Sequence, residues 1–304
     1  MERKTTSIEF RALGTDIRIQ LVDCDSNANL NEFVKNFYAE KEKIFSRFEE
    51  KSELSYLNAN LFHFNPASCD IIDVAEKALE YNKKSQGYFD PRVIDALETV
   101  GYRASFWGNF PSLIRRGEPK RIKNSIKDDL KIESGKVYFG CRMDFSGLAK
   151  GYITDQAALA LKNKGLDDML VDSGGDIRVV GNNPQGEKWK VALEGFPNEE
   201  KLIELSDELQ GVATSGISRR KWESGGRKFH HLINPKDPGR FNFDLRSVTV
   251  LAKNAQEADA WAKTLFIMGS MKGKEFSEKE RIRSIFLDYK GNAWISSTMK
   301  ENIL

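Results

Sequence analysis

The sequence lacks the long apolar segments of a membrane protein. None of its apolar runs approaches the roughly 18 residues that a transmembrane helix needs, so we expect no membrane insertion. The first residues include the basic pair Arg3 and Lys4 but not the apolar segment that is typical of a signal peptide. We therefore expect a cytoplasmic protein.

Cysteine and histidine are also scarce. The three cysteines, Cys24, Cys69 and Cys141, lie far apart and form no CxxC pair, which predicts free thiols in a reducing compartment. The chain has three histidines and neither an HExxH motif nor Cys/His ligand spacing, so we expect no zinc site. It also lacks the GxSxG motif of serine hydrolases.

Neither sign of charge dominates. Lys and Arg total 47 and Asp and Glu total 45, which gives no electrostatic support for nucleic-acid binding. Apolar residues make up 40% of the 304 residues, a composition that is typical of a globular protein. No linker rich in Pro, Gly or Ser divides the chain, so we expect residues 1–304 to form one domain, with two lobes as the alternative.

Hydrophobic periodicity predicts an α+β fold of mainly antiparallel strands with packed helices. Alternating residues over 8–22 predict a strand pair or one bent strand, and helical spacing predicts helices over about 27–48 and 70–86. Asp70 is the predicted N-cap of the second helix, and Gly87 its stop. Strands and helices alternate irregularly, which favours α+β over a regular βαβ repeat.

Three polar segments could bind a ligand, and each also has an ordinary structural interpretation. Segment 144–151 is a glycine-flanked loop before a predicted helix, so its N–H groups and Lys150 could hold an anion, or it could be a simple turn. Segment 172–176 contains two glycines, which suit close approach of a ligand or a hairpin turn. Segment 211–216 carries two hydroxyls, which could bind a polar ligand or lie in a tight strand crossing.

Two further side chains could carry chemistry. Asp259 lies on a predicted helix with Lys263 one turn later, so it could form an exposed ion pair or bind a hard metal ion. His231 follows His230, and a histidine at such a position is either structural or a general base.

The order of these segments resembles that of the ApbE-like FAD:protein FMN transferase family. The resemblance runs from about Phe10 to Gly269, most of the chain. It rests on a series of short motifs, which in chain order are Ala12-Leu13-Gly14-Thr15, Phe45-Ser46-Arg47-Phe48, Ser52-Glu53-Leu54-Ser55, Gly87-Tyr88-Phe89-Asp90-Pro91, the loop 144–151, Ser173-Gly174-Gly175-Asp176-Ile177-Arg178, Ala213-Thr214-Ser215-Gly216, His231-Leu232-Ile233-Asn234-Pro235 and Ala258-Asp259-Ala260.

The resemblance implies a T-fold-related α+β fold and a Mg²⁺-assisted enzyme. Such an enzyme splits the pyrophosphate of FAD, transfers FMN to a threonine of an acceptor protein and releases AMP. The FAD-binding residues implied are Leu13, Phe48, Phe89, Asp90, Pro91, Asp144, Lys150, Gly174, Gly175, Asp176, Thr214, Ser215 and Ile233. The metal ligands implied are the Gly147 carbonyl and the Asp259 carboxylate. His231 is implied as catalytic, and either His231 or Asp144 could accept the threonine proton.

One position departs from the family pattern. A threonine usually follows the metal-binding aspartate by four residues, and here that position holds Lys263. An ammonium group cannot ligate Mg²⁺ and could instead pair with Asp259, so we expect weakened or absent metal binding. Three alternatives to a transferase therefore stay open: a non-catalytic FAD-binding protein, an FAD pyrophosphatase that releases FMN and AMP, and a structural protein without flavin.

Overall fold

The computed structural model describes residues 3–25, 28–102, 118–196, 201–218 and 220–304. The chain divides into two compact units. Unit 1 comprises Met1–Glu40, Lys150–Gly216 and Asp244–Leu304, and unit 2 comprises Lys41–Ala149 and Ile217–Phe243. Within the described residues, no helix combines the length and apolar character needed to cross a bilayer.

The described residues form strands and helices in an irregular order along the chain. The strands are β1 (Thr5–Ala12), β2 (Thr15–Val22), β3 (Phe64–Pro66), β4 (Leu130–Glu133), β5 (Lys136–Phe139), β6 (Met169–Ser173), β7 (Asp176–Val180), β8 (Lys190–Ala192), β9 (Leu202–Glu204), β10 (Gly211–Gly216), β11 (Lys221–Ser224), β12 (Arg227–His230), β13 (Ser247–Ala252), β14 (Arg283–Leu287) and β15 (Ala293–Ile295). The helices are α1 (Ala28–Phe45), α2 (Glu53–Ala59), α3 (Cys69–Lys84), α4 (Ile94–Thr99), α5 (Ile126–Asp129), α6 (Ala149–Lys162), α7 (Ala255–Met268) and α8 (Ser270–Lys279).

Unit 1 contains an eight-stranded sheet in the order β1-β2-β6-β7-β10-β13-β14-β15, and every neighbouring pair is antiparallel. Helix α7 packs against β7, β10 and β13 and is buried along most of its length, which follows from its many Ala, Leu, Ile and Phe residues. The short pair β8 and β9 packs its apolar residues into a cluster with residues of the main sheet.

Unit 2 is built from short elements. Strands β3, β5 and β4 form an antiparallel sheet, and β11 pairs with β12 as a separate hairpin. Helix α3 buries its apolar face, and its N-cap is Ser68, whose side chain accepts a hydrogen bond from the Ile71 N–H. The predicted cap Asp70 was wrong: it lies inside the first turn, where its carboxylate pairs with Lys41 at 2.6 Å. A carboxylate there still stabilises the positive end of the helix.

Two-residue turns with positive φ join four of the hairpins. They are Leu13-Gly14 and Gly174-Gly175 in unit 1, and Ser134-Gly135 and Gly225-Gly226 in unit 2. This conformation matches the right-handed twist of paired strands, which explains why glycine is present in each turn. The strand pair predicted over 8–22 is confirmed, with its turn at Leu13-Gly14.

At Gly174 the backbone also approaches another strand closely. A Cβ atom built there would lie 2.0 Å from the Thr15 Oγ1 atom, whereas a Cβ atom on Gly175 would meet nothing within 4 Å. The two glycines thus share a positive φ but differ in the space around them.

Alanine substitutions should separate the cost of a positive φ from the cost of a steric clash. We expect Gly175→Ala to lower the free energy of unfolding by about 1–2 kcal/mol, because only backbone strain is added. Gly174→Ala should cost about 1–3 kcal/mol more, because a steric clash is added. Urea unfolding of both variants measures the difference. Equal costs would contradict the close packing of Gly174 on Thr15.

Candidate active site residues

The register of the unit 1 sheet brings three distant binding motifs to one end of it. Ile17 pairs with Ser173, so the β1–β2 turn that contains Leu13 lies beside the Gly174-Gly175 turn. Ala213 pairs with Asp176, so β10 continues past that turn, and the predicted binding residues Thr214 and Ser215 follow there. The Thr214 hydroxyl lies 2.9 Å from that of Thr249 on β13.

Lys150 lies in the first turn of α6 and points at this end of the sheet. Its Nζ atom is 3.1 Å from the Asp176 Oδ2 atom and donates a 3.4 Å hydrogen bond to the Gly174 carbonyl. The predicted Gly174-Gly175 hairpin turn is therefore also the turn that holds this lysine. The positive end of a helix, a lysine and an exposed glycine backbone form an arrangement that suits an anion.

Asp176 is the most constrained side chain of this cluster. It is 1% exposed, and within the described part of the chain its Oδ2 atom has one partner, the Lys150 ammonium group at 3.1 Å. Burial, followed by the charge of the neighbouring Asp259, raises the pKa of Asp176 far above the usual range. The positive charges of Lys150 and Lys263 act in the opposite direction and lower the pKa of the same carboxylate.

Asp259 is held against the N-terminal turn of α6. Its carboxylate accepts a 3.4 Å hydrogen bond from the Gly151 N–H. A Cβ atom at Gly151 would lie 2.5 Å from the Ala255 carbonyl oxygen, so only glycine lets α6 approach α7 this closely. Asp155, on the next turn of α6, accepts from the Ala255 and Gln256 N–H groups at 3.0 and 2.9 Å and caps α7.

Two buried carboxylates are the type of donor that a hard cation prefers. The residues present therefore fit a divalent ion that takes its other ligands from the backbone, water or substrate. No group of three or more His, Cys, Asp and Glu side chains that could hold a metal occurs among the described residues. No ion pair joins Lys263 to Asp259 among the described residues. The Lys263–Asp259 pair that the sequence suggests is therefore not formed in this structure.

In unit 2, Asp144 forms a buried ion pair with Arg47. The Arg47 Nε atom lies 3.3 Å from the Asp144 Oδ2 atom, and the two side chains are 7% and 5% exposed. The Asp144 Oδ1 atom accepts from the Ser146 N–H at 2.8 Å, and the Asp144 N–H donates to the Pro91 carbonyl at 2.7 Å. Both carboxylate oxygens of Asp144 thus have partners. Gly147, the other predicted metal ligand, is buried in the same loop.

Aromatic rings surround the Arg47 guanidinium. Its Cζ atom is 4.2 Å from the ring centroid of Phe48 and 5.0 Å from that of Tyr102. Tyr102 in turn stacks on Trp222 with centroids 5.6 Å apart, and lies 6.3 Å from the ring of His231. Tyr102 therefore brings two predicted site residues, Phe48 and His231, into one aromatic cluster.

The neighbouring histidines have different surroundings. The His231 Nδ1 atom lies 3.3 Å from the Arg220 carbonyl, to which it can only donate, so Nε2 carries the lone pair of the neutral ring. His230 is 3% exposed; its Nε2 atom is 3.0 Å from the Asn242 carbonyl, and its Nδ1 atom accepts from the Leu232 N–H. Burial lowers the pKa of His230 to about 4.

Three other predicted FAD-binding residues of unit 2 make contacts within the protein. Phe89 is buried against Tyr81, with ring centroids 6.1 Å apart. Asp90 forms a bidentate pair with Arg92, at 2.9 and 2.8 Å. Ile233 packs into an apolar cluster that includes Tyr102.

Comparison with known proteins gives one consistent result. A sequence profile described as "ApbE family" matches residues 13–286. The chain belongs to the ApbE family. The family membership implied by the motif order is therefore confirmed.

Individual relatives agree with this membership. An FAD:protein FMN transferase of Haemophilus influenzae is 27% identical over 98% of this chain and 90% of its own length. One from Vibrio cholerae is 30% identical over 78% of this chain and 72% of its own length. Flavinyl transferase ApbE from Pseudomonas stutzeri, in its apo form, covers 99% of this chain and 98% of its own at a TM-score of 0.83 and 23% identity. Flavin transferase ApbE from Vibrio cholerae covers 99% of both chains at a TM-score of 0.81 and 23% identity, so the α+β fold is confirmed as ApbE-like.

Two residues that lie among these candidate side chains are not predicted from the sequence. Arg47 stands in the quoted motif Phe45-Ser46-Arg47-Phe48 but was given no role, and Tyr102 was not identified at all. The available signal for Arg47 is a basic residue beside Phe48 at the end of a predicted helix. Both residues acquire their partners from distant segments, which sequence spacing does not reveal.

The Lys150–Asp176 pair should show strong energetic coupling. In a double-mutant cycle with Lys150→Met and Asp176→Asn, we expect a coupling free energy of unfolding of about 1–3 kcal/mol, because Asp176 is buried. The matched control is the exposed Arg18–Glu9 pair, at 2.9 Å, which should couple by less than about 1 kcal/mol. Urea unfolding of each set measures both values. Similar values for the two pairs would contradict the buried contact.

His230 should make stability depend on pH. Its pKa is about 4 in the folded chain against 6.5 as the ordinary value, so the unfolded chain binds more protons between these pH values. The free energy of unfolding should fall by about 3 kcal/mol as pH drops from 6.5 to 4. The difference between the stability curves of wild type and His230→Gln isolates this effect. Exposed His63→Gln should leave the curve unchanged, and parallel curves for wild type and His230→Gln would refute the assignment.

Proposed function

We propose that this chain is an FAD:protein FMN transferase that acts on a threonine of an acceptor protein, with residues 1–304 as one transferase domain. The observation that carries the proposal is the cluster of Lys150, Asp176 and Asp259 around the first turn of α6. Its lysine and helix terminus suit a pyrophosphate, and its carboxylates suit the cation that accompanies one. The relatives from Haemophilus influenzae and Vibrio cholerae are FAD:protein FMN transferases, which supports the same reaction.

The reaction is a phosphoryl transfer. The threonine Oγ atom attacks the phosphorus of the FMN half of FAD, and a phosphodiester bond between FMN and the threonine forms. The bond from that phosphorus to the bridging oxygen breaks, and the oxygen leaves as part of AMP. The hydroxyl proton passes to a base. Lys150 stabilises negative charge on the phosphate oxygens during this transfer.

His231 is the base that the local geometry favours. With Nδ1–H directed at the Arg220 carbonyl, the Nε2 atom can accept a proton. Asp144 is less suited to this role, because its two oxygens are already engaged by Arg47 and the Ser146 N–H. We therefore assign Asp144 to positioning and substrate binding rather than to proton transfer.

A magnesium ion is part of the proposal. Asp259 and Asp176 offer carboxylate oxygens, and the Gly147 carbonyl is the further ligand implied by the family motif. The ion would supply Lewis-acid polarisation of the pyrophosphate when bound. Lys263 adds a positive charge to the same cluster, so we expect Mg²⁺ to bind more weakly to wild type than to Lys263→Thr. Calorimetric titration of both proteins with Mg²⁺ measures this without reference to activity, and equal affinities would contradict it.

A product inventory tests the reaction. The protein is incubated with FAD, with and without Mg²⁺, and with a peptide that carries the sequence Ser/Thr-Gly-Ala-Thr. We expect AMP together with peptide-bound FMN, detected by chromatography and mass spectrometry. His231→Ala should slow peptide labelling by roughly 10²- to 10⁴-fold, while His63→Ala serves as the control. Free FMN with AMP would indicate a pyrophosphatase, and intact FAD would indicate a binding protein; either result would refute the proposal.

A further inference from the structure

The side chain of Arg47 has an unsatisfied donor. Only 7% of it is exposed, and its Nη2 atom has no hydrogen-bond partner within the described part of the chain. Its Nε atom is already directed at Asp144. A buried guanidinium N–H without an acceptor destabilises a folded protein, so this donor calls for an acceptor from outside the described chain.

The backbone around Arg47 is held in place by serine side chains. The Ser46 hydroxyl accepts from the N–H groups of Phe48 and Glu49 at 3.3 and 3.2 Å. The Ser46 carbonyl accepts from the hydroxyls of Ser52 and Ser55, and Ser52 also caps α2. Arg47 therefore has a fixed position, and its free donor does not result from a mobile surface loop.

We propose that Arg47 is a substrate-binding residue that donates, through Nη2, a hydrogen bond to a neutral acceptor atom on a planar ring of the bound dinucleotide. This inference rests on the proposed function, since FAD is the dinucleotide concerned. The acceptor is a carbonyl oxygen or an imine-type nitrogen, and both the isoalloxazine and the adenine ring of FAD carry such atoms.

Charge argues for a neutral acceptor. Arg47 and Asp144 together carry no net charge, and the Asp144 carboxylate would repel a phosphate brought to the same guanidinium. A ring carbonyl or ring nitrogen experiences no such repulsion. The pyrophosphate is better matched by Lys150, which lies beside the helix terminus.

The shape of the surroundings argues for a planar ring. Phe48 is 41% exposed although it packs against the Arg47 guanidinium, so one part of its ring is available to a ligand. Tyr102 lies on the same guanidinium, and its ring is edge-on to that of Phe48 at 6.4 Å. An aromatic heterocycle can stack on the exposed part of the Phe48 ring while one of its edge atoms accepts from Nη2.

Equilibrium binding of four ligands tests the inference. FAD, FMN, AMP and inorganic pyrophosphate are titrated into wild type, Arg47→Gln, Arg47→Lys and Arg142→Gln. Arg142 is the matched control, because it forms ion pairs with Asp95 and Glu98 at the surface of the same unit. Thermal unfolding of each variant verifies that it is folded.

We expect both Arg47 variants to weaken FAD binding by about 10- to 100-fold, which is the effect of losing a hydrogen bond from a charged donor. The same loss should appear with only one of the two fragments: with FMN if the acceptor is on the isoalloxazine, or with AMP if it is on the adenine. Lysine should not rescue binding, because a single ammonium group cannot bond to Asp144 and the ring as the guanidinium fork does. Pyrophosphate binding and the Arg142→Gln variant should not change.

Several results would overturn the inference. Unchanged FAD affinity in the Arg47 variants would show that Nη2 has no role in binding. If only Arg47→Lys folds, unchanged affinity in that variant alone leads to the same conclusion. A loss shared with pyrophosphate would indicate a phosphate contact or a general disturbance of the site. If wild type does not bind FAD at all, the proposed function fails, and with it the ligand assigned to Arg47. If wild type binds FAD but the variants bind it equally well, only the role of Arg47 is refuted.

Discussion

Asp176 is buried beside a second carboxylate, Asp259. The repulsion between these two groups constrains the arrangement of α6 and α7 in unit 1. Two ionised carboxylates in a protein interior need a nearby positive charge. Lys150 supplies it, with its Nζ atom 3.1 Å from the Asp176 Oδ2 atom. Lys150 reaches this position because α6 begins next to the turn after β6. That placement depends on Gly151, where any side chain would collide with α7. Gly151 therefore determines both the packing of α6 on α7 and the position of Lys150 in the candidate site.

Unit 2 also contains a buried ion pair, and its two charges cancel. Arg47 and Asp144 neutralise each other, so this part of the chain offers hydrogen-bonding groups without a net charge. The exposed ring of Phe48 provides its apolar surface, and the buried ring of Tyr102 packs against it. The unit 1 cluster thus suits phosphate groups, and the unit 2 cluster suits uncharged heterocycles.

Local patterns predicted the elements well where the physical signal is local. Alternation over 8–22 gave the β1–β2 hairpin, and paired glycines at 174 and 175 gave the turn between β6 and β7. The N-cap of α3 was misplaced by two residues, since Ser68 and Asp70 are both good caps and only backbone geometry distinguishes them. The hairpin of β11 and β12 was missed, because its strands carry little apolar alternation.

The sequence by itself determined the family, the fold class and most of the candidate residues, because the order of short motifs is a property of the chain. Tertiary structure decided how those residues are used. Asp144 and His231 are equal candidates for the base in the sequence. The partners of Asp144, which are Arg47 and the Ser146 N–H, and the contact of the His231 Nδ1 atom with the Arg220 carbonyl support the proposal that His231 is the base. Arg47 gained its role in the same way. Burial and partner geometry depend on segments that are distant in sequence, and no local pattern encodes them.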